Sequence, residues 1–167
     1  MKIKDITRLA IVATIYVVFT LIIHPLSFDY IQFRFSEILV LLCFYRKDYV
    51  YSLVVGCLIA NMFSPLAVYD MIFGTMATLI SVILISKSKN LLVATLYPVL
   101  FNGIIVGSML YFVLDLPVSM FASIGYVALG EFVVVSIVGF ILFKILEKNR
   151  MFIEVIKANQ NIETNAN

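Results

Sequence analysis

Six apolar runs separated by short polar stretches organise this chain: Leu9 to Ile23, Ile31 to Phe44, Tyr49 to Phe63, Met71 to Ile85, Leu91 to Leu114 and Val118 to Ile145. A helix needs roughly 20 apolar residues to cross a bilayer, so these runs predict membrane-spanning helices, the shorter ones ending within the interface or a cavity. The first run follows Lys2, Lys4 and Arg8 and in isolation would pass for the core of a signal peptide. No A-x-A site ends it and further runs follow, so it reads as an uncleaved first helix.

Composition strengthens the membrane reading. Of 167 residues, 63% are hydrophobic and 13% charged, and the mean hydropathy is +1.09, outside the range of soluble domains. The length leaves room for about six crossings and no separate soluble domain. The expected fold is therefore all-α: a six-helix transmembrane bundle over residues 1–146, followed by a polar tail over 147–167 that ends in Asn-rich sequence. A net charge of +2, without a basic stripe carrying interleaved aromatics, argues against nucleic acid as a partner. No GxxxxGK[ST] loop is present, so no ATP or other cofactor is expected on this chain, and ATP-driven work falls to a partner. Cys43 and Cys57 lie in apolar stretches without CxxC spacing and read as small buried hydrophobes.

Charge sets the orientation. Placing the N-terminus in the cytoplasm puts Lys2, Lys4, Arg8, Arg46, Lys47, Lys87, Lys89, Lys144, Lys148, Arg150 and Lys157 inside, which is eleven of the twelve Lys and Arg. The positive-inside rule then gives both termini in the cytoplasm and a cytoplasmic tail. The outer connections hold Asp29, Asp70 and Asp115 instead.

Ionisable groups within a span cost several kcal/mol unless they pair or face water, which singles out Arg34, Glu37 and Glu131. Arg34 and Glu37 are three apart on a predicted helix and share a face, as an internal ion pair or as a ligand clamp. At 1.5 Å per residue they lie roughly 5 and 10 Å below the outer end of the second helix, a depth that suits an outward-open pocket. Asn61 and Asp70 flank a short outer loop and can converge with them; each also has a structural alternative, a bond to a neighbouring helix backbone for Asn61 and an N-cap for Asp70. Asn102 lies four residues after Pro98, whose missing N–H frees a carbonyl and whose simplest use is a kink. Glu131, beside Gly130, must find a donor, in Arg34 or in a ligand's N–H groups. Thr75 and Thr78 read mainly as hydroxyls satisfied by their own helix, and His24 as an interfacial residue. Gly56 with Ala60, Gly74 with Thr78 and Gly103 with Gly107 supply small residues at spacing four, which let helices approach closely.

Gln32-Phe33-Arg34-Phe35-Ser36-Glu37, Gly56-Cys57-Leu58-Ile59-Ala60-Asn61 and Asp70-Met71-Ile72-Phe73-Gly74-Thr75-Met76-Ala77-Thr78-Leu79 resemble the signature of the QueT-type queuosine-precursor transporters. Phe101-Asn102-Gly103 and Gly130-Glu131 extend the similarity, which runs from Arg8 to Glu131. The resemblance implies the substrate-binding S component of an energy-coupling factor (ECF) importer in the bacterial cytoplasmic membrane. It also implies work with a transmembrane coupling subunit and two ABC ATPases, and a 7-deazaguanine ligand such as preQ0 or preQ1.

On that resemblance, Glu37 or Glu131 would accept the N–H and amino group of a guanine-like edge, and Arg34 or Asn102 would donate to its carbonyl. Phe33 or Phe73 would stack on the ring, and Asp70 or Asn61 would meet the substituent at the far end. Family members dock to the coupling subunit through small residues on the first helix, here Ala10 and Thr14, where Thr14 departs from the usual Ala. The alternatives are an S component for flavin, thiamin or folate, and a small intramembrane enzyme using Glu37 and Glu131 as acid and base. The enzyme lacks parts: one interfacial His, no metal motif, and no Ser or Cys beside a base.

Overall fold

The computed structural model describes residues 3–23, 27, 33–115 and 117–154. Within them the chain forms six helices: α1 (Ile3–Ile22), α2 (Phe35–Tyr45), α3 (Tyr49–Asn61), α4 (Ala67–Lys87), α5 (Leu91–Leu114) and α6 (Met120–Leu146), with a further helical turn over 150–154. No strand occurs among the described residues. The protein is an all-helical, multi-pass membrane protein.

Four helices, α1, α4, α5 and α6, are long and apolar enough to cross a bilayer, whereas α2 and α3 are shorter apolar helices. The second run, already short of a full span in the sequence, gives a correspondingly short helix. Its first part, Phe35–Leu41, is wound as a 3-10 helix and only Leu42–Tyr45 is α-helical. At about 2.0 and 1.5 Å per residue the two parts cover roughly 20 Å, short of a hydrocarbon core about 30 Å thick.

The bundle is apolar outside and polar within. Ile11, Phe19, Phe112, Phe121, Leu129 and Ile141 are exposed, while Arg34, Glu37, Asn61, Asp70, Asn102 and Glu131 are at most 2% exposed. In lipid an apolar exterior carries no hydration cost, so the outer faces need no cover; the polar groups are what must be enclosed. A larger core, including Leu9, Tyr16, Leu53, Val82 and Phe143, fills one part of the bundle. A smaller one, Ala77, Val106, Met109, Leu110 and Val127, joins α4, α5 and α6.

Glycines set the closest helix contacts. A Cβ on Gly56 would stand 3.1 Å from the Ala13 carbonyl of α1, and one on Gly107 only 2.6 Å from Ile124 Cα of α6. Gly103 likewise meets Ala128 Cβ at 3.0 Å. Gly74 departs from this expectation: it faces side chains, with Asn61 Nδ2 at 3.0 Å and Arg34 Nη1 at 3.6 Å from its would-be Cβ.

At the end of the bundle where α1 begins, Asp48 joins three elements. Its carboxylate receives Arg8 Nη2 at 2.5 Å and Arg46 Nη2 at 2.6 Å, and both guanidinium groups lie over the Tyr49 ring, 5.6 and 5.5 Å from its centroid. Partial burial works to raise the Asp48 carboxyl, but the hydrogen bond and charge of Arg46 and the charge of Arg8 hold it below its ordinary value. At the same end Tyr45 donates to Glu147 Oε1 at 2.9 Å, and Phe152 packs edge-on against Tyr45 and Phe143.

Candidate binding site within the bundle

Arg34 precedes α2 rather than lying on it. Its backbone (φ −83°, ψ 86°) is not helical, and its carbonyl accepts the first helical N–H, that of Glu37, at 2.9 Å. The two side chains consequently do not stand on one helical face. Arg34 Nη2 donates to Asn61 Oδ1 at the end of α3, at 2.8 Å, over the space that Gly74 leaves open. Asn61 Nδ2 in turn donates to the Asp70 carbonyl at 2.8 Å, and lies 3.3 Å from Thr75 Oγ1 and 3.4 Å from Cys57 Sγ.

Glu37 turns elsewhere. Its Oε1 accepts from the hydroxyl of Tyr16 on α1 and from Thr78 Oγ1 on α4, the latter at 3.2 Å. Cys57 Sγ donates to Thr78 Oγ1 at 3.3 Å, so this thiol belongs to the polar network and not only to the packing. Thr20 Oγ1 bonds Ser36 Oγ at 2.7 Å beside them. Sequence reasoning missed Tyr16, Thr20 and Ser36 and undervalued Thr78. The signal was present for α1: Leu9, Tyr16 and Thr20 fall on one buried face, where two hydroxyls stand among apolar neighbours.

Asp70 is not the N-cap of the fourth helix. That helix starts at Ala67, after a turn in which the Leu66 N–H donates to Ser64 Oγ at 3.1 Å, and the Asp70 carboxylate accepts from the same Ser64 hydroxyl through Oδ2. Asp70 instead opens a π-helical turn, Asp70–Gly74. Asn102 opens another, Asn102–Val106, and Glu131 immediately precedes a third, Phe132–Gly139. Widened turns of this kind reset the direction of side chains and are frequent at functional sites. Below Asn102, Ser136 Oγ donates to the Thr95 carbonyl at 3.2 Å, tying α6 to α5 next to Pro98.

Several polar atoms remain without a hydrogen-bond partner although buried: Glu37 Oε2, Asp70 Oδ1, Asn102 Oδ1 and Nδ2, and Glu131 Oε2. Glu131 lies within electrostatic reach of Glu37 and Arg34, so α6 contributes to the same interior as α2. Phe33 packs on the larger core and Phe73 on the smaller, each partly buried. Of the residues singled out from sequence, Arg34, Asn61, Asp70 and Glu37 are thus joined by a network through α1, α3 and α4. Asn102, with both amide atoms unpartnered, and Glu131, with Oε2 unpartnered, contribute from α5 and α6. Ala10 and Thr14 are exposed on α1, apart from this interior. His24 lies outside the described residues.

A multi-pass bundle with charged and amide groups collected inside and their hydrogen-bonding capacity partly unspent defines a membrane protein built to handle a polar solute. The chain belongs to the QueT transporter family, whose model matches residues 6–148, and is a transporter rather than an enzyme. It is similar to the queuosine precursor transporter QueT of Lactococcus lactis subsp. cremoris (strain MG1363), 31% identical over 165 residues that cover 86% of this chain and 93% of the relative. No solved structure matches it.

Proposed function

We propose that this protein is the substrate-binding S component of an ECF-type importer and takes up a 7-deazaguanine queuosine precursor, preQ0 or preQ1. It resides in the bacterial cytoplasmic membrane with six crossings and both termini inside. The name of the Lactococcus lactis relative supports the cargo class. The observation that carries the reading is the set of buried, unpartnered atoms on Glu37, Asp70, Asn102 and Glu131. Leaving such groups unmet costs on the order of 1–3 kcal/mol each, and a small ligand rich in N–H groups recovers that cost. A 7-deazaguanine is such a ligand: its pyrimidinone edge offers two N–H donors beside one carbonyl, and its pyrrole N–H adds a third. Arg34, held by Asn61, forms the positively charged wall, Asp70 faces the substituent, and Phe33 and Phe73 are the flat surfaces available to the ring.

Direction requires a partner. A ligand held equally well in outward and inward states shifts nothing, so energy from ATP must change the grip of these residues. The coupling subunit and two ABC ATPases supply it, docking on the exposed face of α1 that includes Ala10 and Thr14. That face is free to do so because Ala13, not Ala10, meets Gly56 inside the bundle, and the Thr14 hydroxyl is satisfied by the Ala10 carbonyl at 2.9 Å.

The test is calorimetric or fluorescence binding of preQ0, preQ1, guanine and riboflavin to the purified chain in detergent, without partners. Submicromolar binding of a deazaguanine alone is expected. Binding of riboflavin with the deazaguanines ignored would transfer the same architecture to another cargo.

A further inference from the structure

The two buried glutamates are not equivalent, and their surroundings divide the work between them. Glu37 Oε1 is occupied twice from within the protein, by the Tyr16 hydroxyl and by Thr78 Oγ1 at 3.2 Å, so only Oε2 remains. One free oxygen cannot provide the two side-by-side acceptors that a parallel pair of N–H groups requires. The Glu131 carboxylate accepts no hydrogen bond from a described residue, and it is 1% exposed. The Asn102 amide, also 1% exposed, has neither its oxygen nor its nitrogen engaged.

The backbone places these two at neighbouring levels of α5 and α6. Gly103, the residue after Asn102, sits against Ala128 of α6, with only 3.0 Å between the Ala128 Cβ and the position a Gly103 Cβ would take. Ala128 is three residues, nearly one helical turn, before Glu131. The π turn that Asn102 begins and the one that follows Glu131 therefore start at neighbouring levels of two helices in close contact.

Resting on the deazaguanine reading above, we infer that Glu131 and Asn102 read the pyrimidinone edge of the base. Both Glu131 oxygens accept the parallel pair from N1–H and the 2-amino group while Asn102 Nδ2 donates to the adjacent carbonyl. Glu37 is then a positioning residue, a carboxylate locked by Tyr16 and Thr78 that ties α1 and α4 to α2 and gives its remaining oxygen to a single N–H. A carboxylate matched to two parallel donors and an amide matched to the neighbouring acceptor discriminate a guanine-type edge from one lacking the amino group, because the analogue leaves a buried oxygen unmet.

The test measures dissociation constants for two bases, 7-deazaguanine and 7-deazahypoxanthine, which differ only in the 2-amino group. They are measured on the full chain and on Glu131→Gln, Glu131→Asp, Glu37→Gln and Asn102→Ala. The unsubstituted chain is expected to favour 7-deazaguanine by about tenfold or more. Glu131→Gln turns an N–H₂ toward the amino group and should erase that preference; Glu131→Asp, which withdraws the charge by one methylene, should reduce it. Asn102→Ala should weaken both bases alike, since both keep the carbonyl, and Glu37→Gln should leave the preference in place even where overall affinity falls. A preference that survives in both Glu131 variants and disappears in Glu37→Gln would overturn the assignment. Cooperatively melting, unsubstituted protein that binds neither base would overturn the cargo reading itself, and this inference with it.

Discussion

Arg34 donates to the side-chain oxygen of Asn61 at 2.8 Å, joining the entry of α2 to the last residue of α3. The same amide passes the connection on to α4 by donating to the Asp70 carbonyl at 2.8 Å. One neutral side chain thus links a guanidinium to a helix backbone inside a low-dielectric bundle, where both groups are costly to leave unmet. Gly74 makes this possible by leaving empty the volume in which the guanidinium and the amide lie.

Asn61→Ala should therefore lower stability by about 1–3 kcal/mol, the cost of stranding buried polar partners, and weaken ligand binding as the Arg34 wall loses its fixed position. Thermal melting in detergent and calorimetric titration check the two effects separately. Asn61→Asp, which keeps the acceptor toward Arg34 but removes the donor to Asp70, should keep part of the stability and lose most of the link to α4.

Two glycines of the α5–α6 region, Gly107 and Gly125, give a paired prediction. A methyl group on Gly107 would lie 2.6 Å from Ile124 Cα, backbone that cannot step aside without moving a helix, whereas one on Gly125 meets nothing within 4 Å. Gly107→Ala should destabilise by about 1–3 kcal/mol, as overpacking does, and should also weaken binding by displacing Asn102 relative to Glu131. Gly125→Ala should melt at the same temperature or higher. Equal behaviour of the two variants would mean that α5 and α6 do not pack as described.

Much of this architecture could be read in the sequence because the bilayer imposes it. Apolar runs located the six main helices of the described residues, and the cost of burying charge picked out Arg34, Glu37 and Glu131 before any geometry was known. What remained hidden depends on where the chain departs from regular helix. A period of 3.6 places Arg34 and Glu37 on one face, but Arg34 stands outside α2 with non-helical backbone, and the two side chains go to different partners. Asp70 looked like a cap because the hydropathy of its helix begins at Met71, yet the backbone already turns at Ala67. Tyr16 and Thr78 carry no charge and are ordinary in an apolar run, so their bonds to Glu37 follow only from the packing of α1 and α4 around α2.

Asp48 gives a pH prediction at the other end of the molecule. Partial burial raises its carboxyl, but bonding and charge from Arg46, with the charge of Arg8, outweigh that and depress it in the folded protein. The sign follows from linkage: the stabilisation is fully present above the unfolded value near 3.9, and is lost as pH falls through the lower folded value. The melting temperature should fall on acidification from about pH 5 downward, and Asp48→Asn should melt lower at neutral pH with a flatter acid limb. An unchanged acid limb in that variant would place the acid sensitivity elsewhere.

The proposed cargo makes a charge argument that can be tested directly. Three carboxylates, Glu37, Asp70 and Glu131, share the interior with the Arg34 guanidinium, and Asp70 keeps Oδ1 unpartnered while Ser64 holds Oδ2. A ligand carrying a cation can pair with the free Asp70 oxygen, and a neutral one cannot. PreQ1, with its aminomethyl cation, should therefore bind about tenfold or more tightly than preQ0, whose nitrile is neutral. Asp70→Asn should narrow that difference by weakening preQ1 while leaving preQ0 nearly unchanged, and added salt should alter neither much because the site is buried. Titration of both bases into the unsubstituted and Asp70→Asn proteins decides the matter: a preference for preQ1 that survives the substitution would move the counter-ion from Asp70 to one of the glutamates.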